Sequence, residues 1–233
     1  MQINANGSFH TAFHGFMNLV FQDQYDGLIW KMLESPEDAT LGLELRSEAD
    51  MSVQYALIDL QSLDQLIYEH EALDWWSGLH LITPDKCYFK KFSDESDPSV
   101  FELWSISRET GELAQEQAGG LAPNHDHKSL FPVVYQEESE SFQSVATFMD
   151  RKGRTIVRSV EYLELESHVC LTYYLLENKS LNRYVYVMDM DGQTLLDLQI
   201  DANMGGVVFQ SFFTFGNLLI FVENRNTLHV YRF

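Results

Sequence analysis

The side chains with the most chemical promise are indoles and imidazoles set among acidic residues. Trp75 and Trp76 are adjacent. Neighbouring side chains on a strand point to opposite sides, so one indole packs inward while the other is free to stack on a sugar or an aromatic ligand. Asn124-His125-Asp126-His127 is the most metal-like run. Rings two residues apart share an ion when a loop aims both inward and other elements supply more ligands. No spacing forces a third ligand, so the run reads as a polar loop and no metal is assigned. Asp189, Asp191 and Gly192 begin like a calcium loop, but Gln193 breaks the pattern and no Glu closes it. A hairpin turn accounts for them instead. His10 and His14 are four apart, in a polar N-terminal stretch expected to fray.

Catalysis asks for more than these residues supply. With 35 acidic residues, some carboxylate pairs fall at glycosidase spacing by chance alone. Glu71, Asp74 and Asp126 are the three that a cleft beside the tryptophans would bring together. No Gly-x-Ser-x-Gly elbow and no phosphate-binding loop occurs, and neither Cys87 nor Cys170 is flanked as a nucleophile would be. The sequence therefore favours a non-catalytic module that binds a ligand or a protein, with no catalytic residue and no cofactor. The alternative is a carbohydrate-active hydrolase with a carboxylate pair in a central cleft.

Charge narrows the partners. The 233 residues hold 15 Lys+Arg and carry a formal charge of −20. Such a surface repels phosphate backbones and anionic membranes, leaving a basic or neutral protein, or a small ligand. An apolar content of 45% is ample for a core. The N-terminus has no basic start with an apolar run behind it. The greasiest region, 207–222, is interrupted by Gln210, Ser211, Thr214, Gly216 and Asn217, too polar for a bilayer helix. Two distant cysteines in apolar runs read as buried thiols. A soluble, cytoplasmic protein is expected.

The elements that must position these residues are strands. Short runs rich in Val, Ile, Tyr, Phe and Thr alternate at period two, as in FELWSIS (101–107), VCLTYYLL (169–176), RYVYVMDM (183–190) and TLHVYRF (227–233). The fold class is all-β. ALIDLQSLDQLIYE, LWSISRETGELAQE, ATFMDRKGRTIVRS and VYVMDMDGQTLLDL share a strand–turn–strand form. Their turns recur at intervals of about 40 residues, the period of a four-stranded propeller blade. Four strands fit between Trp75 and Glu116 and four between Val160 and Ile200, but only three follow. The expected architecture is a five-bladed β-propeller over residues 19–233, behind a flexible tail at 1–18. An N-terminal strand at 28–33 would join the C-terminal blade and so remove its exposed edge. In that ring one loop face gathers Asp74, Trp75 and Trp76, the 118–129 loop with His125, Asp126 and His127, and Asn203 in the 201–206 loop. These seven residues are the expected ligand-binding set.

The runs YDGLIWKM, LGLELRS, YALIDLQSLDQLIYE and LDWWSGLHLI, with LWSISRETGELAQE behind them, are similar to a bacterial family of unknown function related to quinoprotein-type propellers. The likeness covers most of residues 19–233, and Trp75-Trp76 is its most specific feature. It implies a propeller fold and no activity. Quinoprotein enzymes are much longer and have more blades, so their cofactor is not carried over.

Overall fold

Strand-forming alternation becomes four antiparallel sheets in the computed structural model, which describes residues 17–35, 37–94, 97–117 and 129–233. In chain order the strands are β1 (Asn18–Gln24), β2 (Leu28–Ser35), β3 (Thr40–Ser47), β4 (Ser52–Asp59), β5 (Gln65–Tyr68), β6 (Ser77–Ile82), β7 (Lys86–Phe92), β8 (Phe101–Ser107), β9 (Leu113–Glu116), β10 (Ser129–Leu130) and β11 (Val133–Gln136). One helix, α1 (Glu140–Arg151), follows. The chain ends with β12 (Ile156–Glu164), β13 (His168–Glu177), β14 (Ser180–Asp189), β15 (Thr194–Met204), β16 (Phe212–Phe215), β17 (Leu218–Glu223) and β18 (Thr227–Arg232). The all-β expectation holds, and the strand sets expected between 75 and 117 and between 160 and 200 are β6–β9 and β12–β15.

The chain divides into two compact units. Unit 2, residues 19–130 and 214–230, holds the meanders β2-β3-β4-β5 and β6-β7-β8-β9 and most of the sheet β1-β18-β17-β16-β10. Its core joins the two meanders through Val53, Tyr55, Leu57, Leu73, Leu79, Ile82, Cys87, Phe89 and Ile106. Gly42 suits that contact, because a Cβ there would press on the terminal methyl groups of Ile82 and Leu79 on β6 and make them shift. Unit 1, built chiefly from residues 131–213, holds the sheet β11-β12-β13-β14-β15. One face of that sheet packs Val160, Leu171, Tyr173, Leu175, Tyr184 and Tyr186 against Phe142 and Met149 of α1.

Two expectations are corrected. Residues 28–33 do not join the C-terminal blade: β2 pairs with β3 in the register Leu28↔Arg46 to Ser35↔Thr40. The strand beside β18 is β1. The Ile29 amide does donate to Arg225 O at 2.7 Å, but the ladder runs to β3. A tight turn at 37–39, with Ala39 at φ +55, makes this local pairing entropically cheaper than one with strands some two hundred residues away. The second correction concerns the blade assigned around Gly153. Residues 140–151 form α1, with Ser139 Oγ capping Phe142 N at 3.1 Å and Gly153 (φ +77) just past the end. Four sheets, not five, are present among the described residues.

Candidate functional site

The site begins with a charged pair inside an apolar strand. On β3, Gly42, Glu44 and Arg46 share one face, the side against β6. Glu44 is 2% exposed. Its Oε1 accepts from Arg46 Nε and Nη2, both at 2.7 Å, and its Oε2 accepts from Leu79 N at 2.8 Å. Arg46 also donates from Nη1 to Trp75 O (2.6 Å) and from Nη2 to Ser77 O (3.0 Å). Tyr55 OH donates to the same Ser77 carbonyl at 3.0 Å. Burial first, and then the Glu44 charge, push the Tyr55 phenol far up, so it keeps the proton it donates.

Two indoles lie beside this anchor, and a third, Trp76, follows Trp75 on the same turn. The Arg46 guanidinium carbon lies 5.0 Å from the Trp75 ring centroid and 5.4 Å from that of Trp30, within cation–π range of both. Trp30 owes its position to a β-bulge. The β2–β3 register steps from Ile29↔Leu45 to Lys31↔Glu44, so Trp30 is the extra residue, and it is 54% exposed. Trp75 is half-buried, while Trp76 is 44% exposed. The turn carrying the pair is locked by Asp74, whose Oδ1 accepts from Trp76 N (3.0 Å) and whose Oδ2 pairs with Lys91 Nζ (3.1 Å). Cations continue along this side of the meanders. Lys31 Nζ donates to Leu79 O at 2.7 Å, and Lys90 Nζ sits 4.3 Å from the Phe101 centroid. His80 occupies the bulge between Leu79 and Leu81. Burial, then the charges of Lys90 and Lys31, hold its pKa below the ordinary histidine value.

Of the expected set, Asp74, Trp75 and Trp76 come together on one turn of unit 2. Asn203 lies in unit 1, exposed at φ +54, with its amide donating to Asn182 Oδ1 at 3.1 Å. His125, Asp126 and His127 fall outside the described residues. Sequence reasoning missed Trp30, Glu44 and Arg46. The last two carried a signal: charges two apart on one face of an otherwise apolar strand, LGLELRS, point to a buried pair.

Of the three acids of the hydrolase reading, Asp74 is engaged by Trp76 N and Lys91, Glu71 is exposed on the turn before it, and Asp126 lies outside the described residues. Both cysteines are buried free thiols, which burial pushes up to about 12. Among the described residues no group of three His, Cys, Asp or Glu is placed to hold a metal ion, and no helix is long and apolar enough to cross a membrane. No family model and no curated protein matches the chain.

Proposed function

We propose that this chain is a non-catalytic binding module whose working surface is the Trp30–Trp75–Trp76 side of unit 2. The observation that carries the reading is the Arg46 guanidinium lying within reach of two indoles, with its donors already engaged by Glu44, Trp75 O and Ser77 O. An arginine so occupied is a support. What it supports, Trp30, is a large apolar ring held in water, and Trp76 is a second. Rigid exposed indoles suit the flat face of a neutral sugar ring or an apolar side chain of a protein partner.

The two consecutive four-stranded meanders, with β6 packed on β2 and β3, support a propeller-related architecture and the family resemblance that goes with it. A cytoplasmic setting fits the two reduced, buried cysteines. Intrinsic fluorescence tests the binding surface. Titration with a panel of neutral oligosaccharides and basic peptides is expected to give a saturable change with at least one class. Trp30→Ala combined with Trp76→Ala abolishes it while the chain stays folded. A folded double variant that binds the same probe with unchanged affinity removes the surface from consideration.

A further inference from the structure

Leu176, Leu181 and Met204 stand in one row across β13, β14 and β15, each opposite the next. Val157 lies opposite Tyr174, two residues before Leu176, and so belongs to the same face. These four side chains floor an open groove of about 610 Å³ in unit 1, within the size range of small-molecule sites. Leu176 is 63% exposed, so the floor meets water.

Residues 205–207 make one wall, and the chain beyond it is fixed to the sheet. Tyr174 OH donates to Val208 O and accepts from Val208 N, both at 2.8 Å. Glu161 then takes the amides of Gln210 and Ser211 and the hydroxyls of Ser211 and Thr172. The rest of the rim is charged. Arg158 sits in the bulge between Val157 and Val160 at φ +73, and Lys179 at the β13–β14 turn at φ +69. Both are exposed, and neither cationic head has a hydrogen bond or ion pair among the described residues. Glu137, the acid of the rim, accepts the Arg158 amide at 3.2 Å. In a chain of charge −20, two uncommitted cations beside an apolar trough are a local reversal of sign.

We propose that this groove binds a free medium-chain fatty acid, its alkyl chain along Val157, Leu176, Leu181 and Met204 and its carboxylate between Arg158 and Lys179. Charge-assisted hydrogen bonds to the two heads supply orientation, and methylene burial supplies affinity. The site is separate from the tryptophan surface and does not rest on it.

Isothermal titration of the full chain with laurate, kept below its micelle concentration, tests this. One saturable site is expected, with decanoate binding roughly tenfold more weakly because two fewer methylenes leave water. Arg158→Gln with Lys179→Gln, both at exposed positions, is expected to weaken laurate about tenfold or more while leaving the circular dichroism unchanged. Dodecanol is expected to bind the native chain as weakly as laurate binds that variant. Trp30→Ala with Trp76→Ala leaves laurate binding intact, which separates this site from the other surface. The proposal is overturned by an absence of saturable binding, by equal affinity in the charge variant, or by dodecanol matching laurate. Association with phosphatidylglycerol vesicles but not with monomeric laurate also overturns it.

Discussion

Glu44 and Glu161 are matched in all but their partners. Each lies on a strand flanked on both sides, and they are 2% and 1% exposed. Glu44 is answered by a cation and one backbone amide, whereas Glu161 is answered by hydroxyls and amides that carry no formal charge. The difference decides what each carboxylate organises. A guanidinium has donors to spare and a flat face, so Arg46 goes on to bind two carbonyls and to lie beside Trp30 and Trp75. Neutral donors come from the chain itself, so Glu161 gathers a backbone segment, residues 210–211, onto its sheet. One buried acid thus holds an aromatic surface in place and the other holds the wall of a groove.

The sharpest way to break this contrast is Arg46→Met, which leaves Glu44 buried without its counter-charge. A loss of about 3–5 kcal/mol is expected in urea unfolding. Adding Glu44→Gln in the Arg46→Met background should restore part of it, because the stranded charge is then gone. Should Arg46→Met cost less than Glu161→Gln, the distinction between the two carboxylates fails. Glu161→Gln keeps shape but turns an amide N–H toward donors, and about 1–3 kcal/mol is expected. Hydrogen exchange at the Gln210 and Ser211 amides should quicken, while Trp30 emission stays as it was. Ser139→Ala removes the α1 cap and should cost about 1 kcal/mol, with helical signal lost before the strand signal on heating.

The smallest effect expected is pH-dependent and belongs to His80. Its folded pKa is held below the ordinary 6.5. Between the folded and unfolded values the unfolded chain therefore binds more protons than the folded one. Its stabilising contribution is complete above about pH 6.5 and is lost as pH falls toward the folded value. His80→Gln should flatten the fall in urea midpoint between pH 7 and pH 5. An unchanged slope would place the acid sensitivity elsewhere.

The sequence made β12–β15 and the β6–β9 meander legible because runs rich in Val, Ile, Tyr, Phe and Thr are bounded in them by clear turn residues. Other features were hidden for physical reasons. The pattern Phe142, Val145, Ala146 and Met149 behind Ser139 is a capped amphipathic helix, yet the DRKG turn that follows matches the repeat so well that the region reads as a hairpin. A bulge adds a residue without altering the apparent alternation, so nothing in LIWKML marks Trp30 as the side chain thrown outward. The Trp75-Trp76 pair was visible by composition, and its support was not, because Arg46 lies 29 residues earlier. The groove was the least visible, since its floor is a row across three strands that only register can align.

The pairing of β1 with β18 has a consequence for synthesis. Tyr25 and Asn226 exchange hydrogen bonds across 201 positions of the chain. On a ribosome, β1 emerges before β18 and has no sheet partner until β18 follows, roughly 10–40 s later at ordinary elongation rates. Throughout that interval its backbone N–H and C=O groups are open to any passing strand. β1 is thus a strand at which a chaperone, or a second ribosome's product, has a long opportunity to intervene.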